Sequence, residues 1–389
     1  MSVKLAKRPH GPASVVQRCF HMLLLCLAAC PLVWGNKFGI GIYCDTPGSP
    51  NVSLQLASAR NLTGANGWVT LFFDSLDPLL QPAPLPWQVA ALEESYALGL
   101  SPLVRLGQPA RNYRNLSDDA AHMQYHSLAS AYARYVAALP LPPSSAGGPL
   151  HIIVGNEWNI CGEWVCSDGE GVFLKSAVAA QESAAFTRDV LAALRPLPRL
   201  ALSAAPIAVK GHTECECTAG GAAGPQSENG TLFISSMLAA IPDLFTLTDA
   251  FAAHPYPWCP GPFANTCASG WLATYRQHWA LALPSWRLNP SHAGPGAQYP
   301  IFISETGWAG SNETGKAEWI AAAFEELFLP DGNVTAVTPF LLAGQFWARD
   351  GWPWTLWDAQ GDNLLHLQPQ YLAIQALAAK EKFHGVTER

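Results

Sequence analysis

"LHIIVGNEWN", Leu150 to Asn159, and "IFISETGW", Ile301 to Trp308, decide how this chain folds. Each is a continuous apolar run that stops at a glutamate, Glu157 in the first and Glu305 in the second. A strand that is apolar at every position is buried on both faces, as in a parallel sheet covered by helices. Six further runs share this character: 37–44, 67–74, 101–107, 199–206, 249–256 and 337–347. With 150–157 and 300–307 they make eight candidate strands.

Helical patterns fill the intervals. Apolar residues recur at three- and four-residue steps over 87–99, 118–139, 172–194, 271–283, 316–329 and 368–383, and less regularly over 52–61 and 231–241. Ser117, ahead of Asp118 and Asp119, is a candidate N-cap, and Gly99 a candidate stop. Eightfold strand–helix alternation predicts an α/β fold, a (β/α)8 TIM barrel. An open doubly wound sheet is the alternative, but no G-x-G-x-x-G follows the first strand to mark a dinucleotide site. Neither a low-complexity linker nor a repeat interrupts the chain, so 36–389 reads as one domain.

Composition narrows the function. Charged residues make up 13% of the 389 positions, against roughly 25% in ordinary soluble domains. The net charge of -7 has no basic stripe, which argues against a nucleic-acid partner. The 15 tryptophans exceed what a core needs, and indole faces are flat apolar partners for sugar rings.

The N-terminus carries Lys4, Lys7, Arg8 and Arg18, then an apolar stretch over 22–34 that is short for a bilayer span, then Gly35. Residues 1–35 therefore read as a secretory signal peptide cleaved before Asn36, with a membrane anchor as the competing reading. The expectation is a secreted, monomeric chain with no membrane attachment after cleavage. Asn51, Asn61, Asn115, Asn229, Asn312 and Asn333 all stand in Asn-x-Ser/Thr sequons, which fits export. Cleavage would leave seven cysteines. Cys161 with Cys166 and Cys259 with Cys267 are candidate short-range disulfides, and the odd number leaves one thiol over. His212, Cys215 and Cys217 match no usual zinc spacing, so neither metal nor cofactor is expected.

A barrel of this kind gathers catalytic groups at the C-terminal ends of its strands. Glu157 closes the fourth strand and Glu305 the seventh, so both carboxylates should reach one mouth. Glycoside hydrolysis is the chemistry that uses two carboxyls in one cleft: one donates a proton, the other attacks or activates water. Asn156 is placed to donate to a sugar hydroxyl. Tyr256, in "AAHPYPW", can hydrogen-bond Glu305, and His254 can line the same mouth; packing within a Pro-flanked turn is the competing reading for both. Arg105, Gln108 and Asp74 end strands three and two on the same side. Trp308, Trp347, Trp352, Trp354 and Trp357 are candidate sugar platforms, with a self-packed aromatic cluster as the competing reading.

The Asn-Glu pair at strand four and the glutamate at strand seven resemble the clan A glycoside hydrolases, retaining enzymes on a (β/α)8 barrel. "VGNE" and "ISETGW" look like motifs of the plant and fungal endo-β-1,3-glucanases of that clan. The resemblance implies that Asn156 matches the clan's asparagine, Glu157 its acid/base and Glu305 its nucleophile. It further implies a carbohydrate substrate, β-glucan-like before others. The chain departs from the pattern at Trp158, where the clan often has proline, and at Ala309, where the β-1,3-glucanases continue with proline. A transglycosidase on the same residues, or a catalytically silent carbohydrate-binding barrel, shares every feature named.

Overall fold

The computed structural model describes residues 35–43, 51–73, 77–107, 118–119, 124–144, 148–160, 164, 176–208, 230–257, 272–294, 296–310, 312–344, 351–357 and 364–387. Apart from Gly35, all of them fall in one contact unit, Asn36–Arg389. The signal segment, Ser117, Asp74, Gln108, Trp347, Asn115, Asn229, His212 and the seven cysteines lie outside the described residues.

Eight parallel strands follow one another: β1 (Gly39–Tyr43), β2 (Trp68–Phe73), β3 (Ser101–Leu106), β4 (Leu150–Val154), β5 (Leu200–Ala204), β6 (Phe251–Ala253), β7 (Ile301–Ile303) and β8 (Val334–Val337). Each is followed by a helix: α1 (Val52–Thr63), α2 (Pro86–Ala97), α3 (His126–Ala137), α4 (Ser176–Leu194), α5 (Gly230–Ala240), α6 (Thr274–Trp286), α7 (Glu313–Ala323) and α8 (Pro369–Thr387). Regular ladders join β1 through β5 and β6 through β8. Two short seams close the ring. Between β8 and β1, Phe38 bridges Val337 in parallel, and Gly41 N–H donates to Pro339 O at 2.8 Å. Between β5 and β6, Ala208 bridges His254, and Asp249 N–H donates to Leu202 O at 2.7 Å. The order therefore runs from one to eight and back to one, a (β/α)8 barrel. A hairpin, β9 (Thr355–Trp357) with β10 (Leu364–Leu367), sits in the connection from β8 to α8.

Three expectations need correction. The eighth strand lies at Val334–Val337, not 337–347. Beyond it Pro339 has no N–H for a ladder, and Thr338 turns its hydroxyl onto the Ile303 and Ser304 carbonyls. The third helix starts at His126, not at 118. Asp118 instead reaches forward from a bridged turn and accepts from Ser127 N–H at 2.8 Å, satisfying a first-turn donor. The 316–329 pattern is helix over Glu313–Ala323, continued by a π turn over Phe324–Phe328.

The barrel interior follows the two-residue period of its strands. Trp68, His151 and Phe302 meet with ring centroids 5.0–5.5 Å apart. Leu103, Ile153, Ala250, Ala252 and Ala336 pack with Phe302 in a second small cluster. The glycines of β1 admit large neighbours: a Cβ on Gly41 would stand 2.7 Å from Phe72 Cζ. Arg105, two residues beyond Leu103 on β3, takes the same inward direction. Its guanidinium lies 4.2 Å from the Phe72 ring centroid, so an aromatic floor underlies the charge.

Candidate active site

Glu157 lies three residues past β4 in a tight turn. Gly155 has φ 91°, and a Cβ there would come within 1.8 Å of the Trp158 indole. Glu157 itself has φ 31°, an uncommon conformation for a side-chain-bearing residue. The turn is pinned from behind. Asn159 donates to Ala208 O and accepts from Ala208 N–H, both at 2.9 Å, which ties it to the end of β5. Trp158 is fully buried among Trp164 and Phe186. The glycine, the indole and the second asparagine of "VGNEWN" therefore build the support on which Glu157 is presented.

Glu305 lies two residues past β7 and is held on three sides. Arg105 Nη1 is bonded to Glu305 Oε1 and also donates to Asn156 Oδ1 at 2.8 Å. Tyr256 donates its hydroxyl to Glu305 Oε2 at 2.6 Å. His254 Nδ1 stands 2.9 Å from Glu157 Oε1 and 3.7 Å from Glu305 Oε2, so the imidazole lies between the two carboxyls. Its Nε2 meets Ser304 Oγ at 3.0 Å. His254 and Tyr256 do more than pack in a Pro-flanked turn, because each hydrogen-bonds to one of the glutamates.

The electrostatics of the pair differ. Burial opposes ionisation of Glu305, but Arg105, His254 and the Tyr256 hydroxyl together outweigh it and hold the carboxyl below the usual carboxylate range. Tyr256 is pushed well above its ordinary range by burial and by the two glutamates, so it remains a donor. The Glu157 side chain is the more open of the two, 13% exposed against 8% for Glu305.

Glu157, His254 and Glu305 offer ligand atoms that all lie within 4.8 Å of one another. A cation there would have to face the Arg105 guanidinium already bonded to Glu305, and the Tyr256 hydroxyl occupies the other oxygen. The donors form a charge-paired carboxylate site rather than a metal cradle.

The tryptophans divide. Trp352 is half-buried and packs edge-on to Tyr256 at 5.5 Å and to Phe340 at 5.7 Å, next to the glutamates. Trp354 and Trp308 are 3% and 7% exposed and belong to the main core, Trp308 against Trp319. As sugar platforms both are corrected: their indole faces are spent on packing. Trp357 is partly exposed on β9 and donates to Thr355 Oγ1. Phe72, Phe340 and Ser304 also line the site, though the sequence does not single them out. The inward alternation Phe302–Ser304 is the signal that could have found the serine.

No protein-family model matches the chain, and no curated protein does. Solved structures match over almost its whole length. It is similar to a glucosidase from Croceicoccus marinus (TM-score 0.54, 12% identity, 89% of this chain and 68% of that one). It is also similar to a β-glycosidase (TM-score 0.51, 14% identity, 90% and 98%) and to a double mutant of the β-glucosidase from Trichoderma harzianum (TM-score 0.51, 12% identity, 89% and 98%). The fold is thus a TIM barrel, shared with these glycosidase structures. The resemblance carried by "VGNE" and "ISETGW" holds in three dimensions at the level of the fold.

Proposed function

We propose that this protein is a secreted, retaining β-glycoside hydrolase acting on a β-linked poly- or oligosaccharide, with β-glucan favoured. One observation carries the reading. A carboxyl oxygen of Glu157 and one of Glu305 lie within 4.8 Å of each other in the barrel mouth. That closeness fits the short carboxyl spacing of double displacement, roughly 5–5.5 Å. Glu305, held ionised, attacks the anomeric carbon while Glu157 protonates the departing oxygen. Glu157 then takes a proton from the water that releases the sugar. Arg105 and Tyr256 keep the nucleophile charged and aimed, and Asn156 faces the same cleft. Secretion rests on the N-terminal segment and the sequons. Asn51, Asn61 and Asn312 are exposed and Asn333 half-exposed, which leaves each open to a glycan.

The test is a panel of β-linked glucans, mannans and xylans, with the anomeric form of the first product followed by proton NMR. Retained β-product on any of them supports the reading. An α-product would replace double displacement by inversion. Sugar binding without turnover, with both glutamates intact, would leave a binding barrel.

A further inference from the structure

Ser304 immediately precedes the proposed nucleophile yet points away from it, onto His254. Both residues are buried, at 0% and 1% exposure. When it carries a single proton, the His254 imidazole has one N–H to place between Glu157 on its Nδ1 side and Ser304 on its Nε2 side. Two arrangements are possible. In the first, Nδ1–H donates to Glu157 Oε1, and the Ser304 hydroxyl donates to Nε2. In the second, Nε2–H donates to Ser304 Oγ, and a proton on Glu157 Oε1 points back into the protein at Nδ1. Among the described residues the Ser304 hydroxyl has His254 as its one side-chain partner. In the second arrangement its own proton would be buried with no acceptor among the described residues, an unfavourable state. Glu305 Oε2, 3.7 Å from Nδ1, also favours a proton on that nitrogen.

Resting on the acid/base role proposed for Glu157, we infer that Ser304 is a positioning residue for Glu157, acting through His254. By donating to Nε2 it keeps the imidazole proton on Nδ1, so Glu157 Oε1 always accepts. The acid's transferable proton is then confined to Oε2, the oxygen without a partner among the described residues. In the first step that proton passes from Oε2 to the leaving oxygen, and in the second a proton from water returns to Oε2. His254 donates a hydrogen bond throughout and never gives up its proton. The Ser304 hydroxyl thus decides which Glu157 oxygen is the acid, although it touches no substrate.

Two measurements test this. The first needs no turnover: nitrogen-15 NMR of histidine-labelled protein at neutral pH, with the His254 signals assigned by their loss in His254→Gln. The expected spectrum has Nδ1 protonated and Nε2 not. A protonated Nε2 overturns the inference, whatever the enzyme does. The second compares Ser304→Ala and Ser304→Thr on a natural glycoside and on a dinitrophenyl glycoside of the same sugar. Ser304→Ala should lower kcat/KM on the natural substrate by about 10–100-fold, part of what proton transfer supplies. It should leave the dinitrophenyl substrate, which needs no acid, within about twofold. Ser304→Thr keeps the hydroxyl and should restore the natural substrate. Equal losses on both substrates, or no rescue by threonine, would show that Ser304 only packs. If the wild type cleaves no glycoside at all, the functional reading fails, while the NMR result still decides the tautomer.

Discussion

Arg105 and Glu305, 200 residues apart in the chain, form a buried ion pair at the barrel mouth, one from the end of β3 and one from the end of β7. Glu305 is depressed below the ordinary carboxylate range, so the pair's contribution to stability is present above that range and is lost as the pH falls from it through the lower native value. The Arg105→Met variant should raise the pH at which Glu305 ionises. The acid limb of the kcat/KM profile should therefore move to higher pH. Stability at neutral pH should fall by about 3–5 kcal/mol, because a buried charge loses its partner. An acid limb that stays in place would show that Arg105 does not govern the nucleophile.

The two glutamates should separate by rescue chemistry. Glu157→Ala should lose roughly 10²–10⁴-fold on poor leaving groups and much less on an activated aryl glycoside. Added azide should restore turnover with a β-glycosyl azide, since it attacks the glycosyl-enzyme from the face Glu157 served. Glu305→Ala should fail on both substrates, and azide should yield the α-product. Chromatography and NMR of the azide adducts decide the assignment. Absence of rescue in both variants would refute it.

Trp352 and Trp354, two residues apart, should behave oppositely. Trp352→Ala should weaken substrate binding by about 1–3 kcal/mol, by analogy with aromatic stacking on bases, and leave the melting temperature nearly unchanged. Trp354→Ala opens the core and should cost about 3–5 kcal/mol of stability. Paired KM and thermal-melting measurements would expose any exchange of these roles.

Gly155→Ala tests the support under Glu157. At φ 91° an alanine is strained, and its Cβ would overlap the buried Trp158 ring. The expected loss is roughly 2–4 kcal/mol, with activity falling as the glutamate is displaced. Urea unfolding of the variant checks it; a midpoint equal to wild type would mean the turn can relax around the ring.

His278, in α6, is held down to about pKa 4 by burial, and its Nε2 has no hydrogen-bond partner among the described residues. The unfolded chain protonates near 6.5 and the folded one does not, so stability drains as the pH falls from about 6.5 toward 4. Between pH 7 and 5 this residue should account for about 2 kcal/mol. His278→Leu should flatten that part of the dependence, measured as melting temperature against pH. An unchanged slope would assign the acid sensitivity to other groups.

The sequence by itself determined the alternation of strands and helices and the strand ends at which Glu157 and Glu305 stand. Hydrophobic burial on both faces of a strand leaves an uninterrupted apolar run that no neighbouring segment can disguise. It misplaced β8, because the apolar run over 337–347 continues past the point where Pro339 and the Thr338 hydroxyl end the ladder. It also read Trp308 and Trp354 as platforms, since an indole in a core and an indole in a cleft are the same letter. Only the tertiary structure decided those two. It alone joined β8 to β1 and β5 to β6, and it alone set His254 between the two carboxyls with Ser304 behind it. Those contacts lie between residues about 45 to about 300 positions apart. They depend on strand tilt and side-chain direction around a closed ring, which local pattern does not encode.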